Sequence, residues 1–305
     1  MSTSLVYQPS ARSRAEAAIR VALVGAALVS VATTLAIVGS LVFETFEFLR
    51  EVPVGDFLFG AKWSPTFAGE QASFGVLPLL WGTLFLSLIA LLVAVPLGLL
   101  CAIYLSEYAK PRVRRIIKPV LELLAGVPTI VFGYFALTFF TPSVLQGIGV
   151  EVGIYNGLAA GLVMGLLVLP TIASVAEDAM SAVPQSLREG AFGLGANRMQ
   201  VSLRIVFPAA LSGIVAALVL GAARAIGETV LVLLAAGQSP NLGVDPRESY
   251  QTMAAFIASI ARGDIPTGSI EYKTIFAVGF LLFVLTMILN LISIRLVRRY
   301  RQVYE

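Results

Sequence analysis

The chain has 305 residues, 58% of them hydrophobic and 13% charged, with a formal net charge of +3. Soluble domains carry about 25% charged residues, so a deficit this large excludes an ordinary soluble protein and points to the membrane class. Histidine is absent and Cys101 is the lone cysteine, which removes histidine acid–base chemistry, histidine metal ligands and an internal disulfide.

Charge-free runs set the predicted elements in chain order. Residues 1–19 read as a tail and 20–43 as a first transmembrane helix. That run is too long, and lies too far inside the chain, for a cleaved signal peptide. Residues 44–75 form an outer segment. Residues 76–295 form a core of five further helices, expected at 76–104, 118–141, 156–180, 206–235 and 272–295. About 20 apolar residues cross the hydrocarbon, and in lipid a helix satisfies its own backbone. Pro96, Pro119, Pro128 and Pro170 are expected to kink or bound these helices. Within the outer segment 236–271, Met253, Phe256, Ile257 and Ile260 recur at helical spacing. That helix is expected at the outer interface or across the top of the bundle, with a re-entrant segment as the alternative. Residues 296–305 form a second tail.

Lysine and arginine placement gives the orientation. With the N-terminus in the cytoplasm, fifteen basic residues fall inside and five outside. The positive-inside rule therefore puts both termini in the cytoplasm of a multi-pass protein of the cell membrane. Membrane topology accounts for this basic charge, and no nucleic-acid partner is expected.

The loop 186–205 falls on the same cytoplasmic side. Ser186 followed by Glu189 is a capping-box pattern, which predicts a short helix from 187. Gly190, Ala191, Gly193, Gly195 and Ala196 keep the backbone thin for close approach by a partner. Asn197 suits a cap or turn before the next helical piece. Pro208 suits the opening of the fifth membrane helix.

Arg224 and Glu228 stand four apart within that fifth helix, the spacing of an ion pair on one helical face. An unpaired arginine in mid-bilayer costs about 2.5–3.5 kcal/mol on insertion scales, so such residues pair or serve a function. Counting from the helix start places them past the midplane, toward the outer side. Two readings stand: a neutralised packing pair, and a site where Arg224 meets a translocating oxyanion that Glu228 tunes or holds. A guanidinium suits phosphate because its planar donors bind two oxygens. The run beginning at Gly193 lacks the Lys-Ser/Thr of a phosphate-gripping loop, so no ATP site is expected in this chain.

Glu189-Gly190-Ala191, three residues, then Gly195, with Ile205-Val206-Phe207-Pro208 following in register, resembles the EAA motif of binding-protein-dependent ABC importer permeases. Gly190 replaces a frequent alanine. Gly126-Val127-Pro128-Thr129-Ile130-Val131-Phe132-Gly133 resembles a signature of phosphate permeases. So do Leu169-Pro170-Thr171-Ile172, Glu177-Asp178-Ala179-Met180 with Val183-Pro184, and Ala223 through Thr229. Over residues 76–295 the pattern is similar to the PstC family of phosphate permeases. The sister family PstA shares several motifs, but the extra outer loop and the basic C-terminus favour PstC.

The resemblance implies an all-α type I ABC importer (MetI-like) permease fold of six transmembrane helices. It implies a coupling helix that includes Glu189, Gly190, Ala191 and Gly195, with Asn197 and Pro208 beyond it. It implies a phosphate path touching Arg224, Glu228 and Thr129, the last offering a hydroxyl. The implied partners are a PstA sister permease, two PstB ATPases that use the ATP and Mg, a PstS phosphate-binding protein and membrane lipid. This chain binds no cofactor and is not an enzyme in that reading. The alternatives are a PstA-like subunit, an ABC permease for another oxyanion, and, in another class, a secondary transporter or channel.

Overall fold

The computed structural model describes residues 11–67, 71–263 and 265–300. Among them the protein is helical apart from one two-stranded antiparallel pairing, β1 (Trp63–Ser64) with β2 (Ser73–Phe74). The first ten residues and the last five of the predicted tails lie outside the described residues. Where the description begins, the chain is already helical in α1 (Ala11–Glu51), and α13 (Ile270–Tyr300) runs to its end.

Four unbroken helices are long and apolar enough to cross a membrane: α1, α3 (Leu77–Ile103), α6 (Gly157–Ser181) and α13. Two bent helix pairs among the described residues meet the same length and apolarity only when taken together. In the first, α4 (Pro111–Ala125) meets α5 (Thr129–Phe135, extended by π-helical turns to Leu145) at 86°. In the second, the run from α8 (Arg198–Val201) through α9 (Phe207–Ala209) meets α10 (Leu211–Ile226) at 73°. The continuous helices expected at 118–141 and 206–235 are therefore both interrupted. In the first, Pro128 supplies no N–H and forces Val127 out of the α region. In the second, the helix ends at Ile226 and restarts as α11 (Val230–Ala235).

The core centres on α3 against α6, where Leu86, Ala90, Val163, Met164 and Leu167 are buried. Small residues allow the approach. A Cβ at Gly165 would sit 2.9 Å from the carbonyl of Ala90 and from Val93. Asn156 starts α6 by accepting the N–H of Ala159 at 2.7 Å, so this wholly buried amide works as a cap. By contrast, α1 packs on α13 and presents Leu23, Leu28 and Leu35 outward, as a lipid-facing helix does.

At one end of the bundle, α2 (Val54–Phe59), the small sheet and α12 (Met253–Ile260) close over a second cluster of Phe48, Trp63, Met253 and Phe256. The helical spacing seen at Met253–Ile260 is thus a helix packed on α3 and α13. In the loop before it, the Tyr250 hydroxyl donates toward the carbonyls of Gly243 and Asp245. Hydrogen bonds from Arg247 hold the exposed Asp245 carboxyl down to about 2. The opposite end holds a third cluster around Met180, Val201, Val206 and Ile214. Arg114, Lys118, Arg188 and Arg198 gather there.

Candidate functional site

Two places collect the polar groups, one inside the bundle and one at its arginine-rich end. Inside, Arg224 lies in the last turn of α10. Its Nη1 donates to Thr171 Oγ1 at 2.7 Å, and its Nη2 donates to the Ala125 carbonyl at 3.2 Å. Thr171 lies near the middle of α6, and Ala125 is the last residue of α4. Arg224 therefore reaches the centre of the bundle, not its outer part. Its charge sits at the negative ends of two helices, its own and α4, where a cation is favoured.

The structure does not join Arg224 to Glu228, which corrects the expected pair. Helix α10 stops at Ile226 and Gly227 leads the chain out, so the four-residue spacing no longer places both on one face. Glu228 is 8% exposed and turns forward. Its Oε1 accepts the N–H of Thr229 at 3.1 Å and of Leu231 at 3.2 Å. This carboxylate thus satisfies donors at the start of α11, where a negative charge is also favoured. It offers those amides an alternative to the carbonyls of the preceding turn, which supplies a physical reason for the break. Thr129 opens α5 immediately after the other break, with Pro128 as N-cap, and is half-buried. Among the described residues it makes no hydrogen bond with Arg224.

At the other end, α7 (Gln185–Gly193) is the short helix expected in the loop, but it begins differently. Pro184 is its N-cap, with ψ of 138°, and no side chain caps it. Ser186 and Glu189 lie inside the helix, so the expected capping box is absent there. Prolines with ψ near 135° also precede α2 and α5, because a proline fixes φ and needs no N–H partner at a helix start. The capping box occurs one element later. The Asn197 side chain accepts from Gln200 N, and Gln200 Oε1 accepts from Asn197 N, both at 2.9 Å. Glu189 and Gly190 are exposed, Ala191 is half-buried, and Gly195 has φ of 83° in the turn that leaves α7. Pro208 lies in α9, one short helix before α10.

An ionic network that sequence reasoning passed over binds this end together. Glu177 on α6 is fully buried between Arg114 and Lys118 of α4, the latter at 2.7 Å. Lys118 also pairs with Asp178, and Ser181 donates to Glu177 at 2.8 Å. Arg188 on α7 pairs with Glu107, in the π-helical turn Tyr104–Tyr108 that extends α3. The available signal was an acidic residue ending an apolar run, since buried carboxylates require partners. In the sequence Thr171 and Glu177 stand out only as motif letters, and Lys118 and Arg188 only among the fifteen inside basic residues. Among the described residues no group of three His, Cys, Asp or Glu side chains could hold a metal ion.

The family described as "Binding-protein-dependent transport system inner membrane component" matches residues 94–302. The chain is 35% identical over 237 residues to the "Probable ABC transporter permease protein YqgH" of Bacillus subtilis, covering 78% of this chain and 75% of that protein. It is 32% identical over 285 residues to the "Phosphate transport system permease protein PstC" of Haemophilus influenzae, covering 88% of each. Among solved structures, it matches a chain of the inward-facing MetNI methionine ABC transporter with a TM-score of 0.53 at 20% identity. That match covers 75% of this chain and 95% of the other.

Proposed function

The chain belongs to the binding-protein-dependent transport system inner membrane component family, and from that premise we propose that it carries inorganic phosphate inward across the cytoplasmic membrane. It has the all-α, multi-span fold of the MetI-type ABC importer permeases. It is an ABC-importer permease subunit and not itself catalytic.

The observation that carries the phosphate reading is Arg224. Its guanidinium reaches the centre of the bundle at the meeting of two broken helices, and among the described residues no carboxylate pairs with it. Two of its N–H groups are committed to neutral oxygens, which leaves donors for an oxyanion. Several bacterial relatives bear the name of a phosphate permease, which supports the same cargo. In this reading Arg224 meets the anion, Thr129 offers it a hydroxyl at the start of α5, and Glu228 holds the α10–α11 break open.

The segment 186–205 then serves as the cytoplasmic coupling loop, with Glu189, Gly190, Ala191 and Gly195 against an ATPase. Asn197 and Pro208 shape its return to the membrane. Both termini lie in the cytoplasm, the segments 44–75 and 236–271 lie outside, and the helices between 76 and 295 form the transport core. A PstA-type sister permease, two PstB-type ATPases and a PstS-type binding protein complete the importer. The binding protein delivers phosphate outside, and ATP-driven movement of the loop reorients the cavity by alternating access.

The test is uptake of labelled phosphate and sulfate by the complete importer in proteoliposomes. Wild type should take up phosphate in preference. Arg224→Gln should reduce uptake to background while all subunits still copurify. An assembled Arg224→Gln importer with normal phosphate uptake would refute the role of this residue, and a wild type that carries only sulfate would refute the cargo.

A further inference from the structure

Helix α7 buries no residue of its own. Its apolar hold on the core is limited to partial contacts such as Leu187 and Ala191. A cleft of about 300 Å³, lined by polar side chains including Ser106, Gln185 and Arg198, separates it from the end of α3. Polar links that cross that gap therefore add directly to the limited packing that holds this helix to the membrane core.

Among the described residues, the Arg188 side chain crosses this cleft. Arg188 Nη2 donates to Glu107 Oε1 at 2.9 Å, and Nε approaches Oε2 at 3.4 Å. The same guanidinium donates to the carbonyl of Val183 at 2.6 Å and to that of Met180 at 2.8 Å. The side chains of Arg188 and Glu107 are 11% and 6% exposed, so solvent screens this link little. Ser106 donates to Glu107 Oε1 at 2.8 Å and fixes the carboxylate further. A single planar cation thus ties α7 to two elements at once: the extension of α3, and the end of α6 with the turn that follows it. Lysine lacks the fork needed to hold a carboxylate and two carbonyls together.

From there α6 continues as one helix to Thr171, the hydroxyl that holds Arg224. We propose that Arg188 is the positioning residue that transmits movement of α7 into the membrane core, through Glu107 and the carbonyls of Met180 and Val183. This rests on the reading of α7 as the ATPase-coupling helix.

The complete importer in proteoliposomes tests it by the ratio of phosphate imported to ATP hydrolysed. Arg188→Gln should assemble and hydrolyse ATP at a rate near wild type, yet lower that ratio by about tenfold. Arg188→Lys should recover part of the ratio, and Glu107→Gln, which preserves shape, should fall between. An unchanged ratio in Arg188→Gln overturns the proposal. If that variant fails to assemble, an unchanged ratio in Glu107→Gln overturns it instead.

A nitroxide at Leu123→Cys in a Cys101→Ser background gives a readout that needs no cargo, close to the α4–α5 break. ATP should change its mobility in wild type, and Arg188→Gln should abolish that change. This outcome without phosphate uptake in wild type would sink the phosphate reading and leave the link supported. A label that responds equally with and without Arg188 would sink the link alone.

Discussion

Single residues decide where this backbone can turn. Gly237 has φ of 89°, and a Cβ there would collide with Ser249 Oγ and sit 3.1 Å from Tyr155 Cβ. The left-handed penalty and the overpacking add, so Gly237→Ala should destabilise the protein by about 2–4 kcal/mol. Gly55→Ala meets open space inside α2 and should be neutral or mildly stabilising. Thermal melting of the purified variants in one detergent checks the contrast, and equal melting temperatures would contradict it. Neither glycine is distinguishable by sequence, because the difference lies in a backbone angle and in a neighbour twelve residues away. Arg224 and Glu228 show the same limit. Their types were readable, but their placement and partners depended on where the helix stopped.

At the level of elements, charge-free runs marked the long apolar helices, while the breaks within the expected helices followed local chemistry that hydropathy does not report. Pro128 was a legible breaker. The interruption at Gly227 was not, because it arises from a carboxylate competing for the amides of Thr229 and Leu231. Capping went the same way. Ser186 and Glu189 match the capping-box letters, but Pro184 already starts α7, and the working box is Asn197 with Gln200. Asn197→Ala should therefore weaken α8 by about 1 kcal/mol. Hydrogen exchange should quicken at the amides of residues 198–201. Ser186→Ala should leave exchange at residues 187–189 unchanged, and the opposite pattern would restore the capping box to α7.

For the whole molecule, the two polar centres are joined by one path of contacts through α6. Helix α7 is tied to α6 by Arg188, α4 is tied to α6 by the Glu177 network, and α6 carries Thr171 to Arg224. Glu189 stands apart from this path, exposed on α7 and without a partner among the described residues. In the proposed reading its charge faces the ATPase. Glu189→Lys should melt like wild type but retain about tenfold less ATPase on copurification, since reversing a charge at an interface costs complementarity. Unchanged retention would remove Glu189 from that surface. Composition and charge alone determined the membrane class and the run of spans, because a bilayer imposes length and apolarity on any crossing helix. Motif letters indicated where chemistry would gather. Only the tertiary structure decided that Arg224 faces Thr171 and Ala125 and not Glu228, and that Glu177 and Arg188 bind separate helices together. Those pairings join residues about 50–100 positions apart, or depend on a helix end set by side-chain competition, and neither leaves a periodic trace in the sequence.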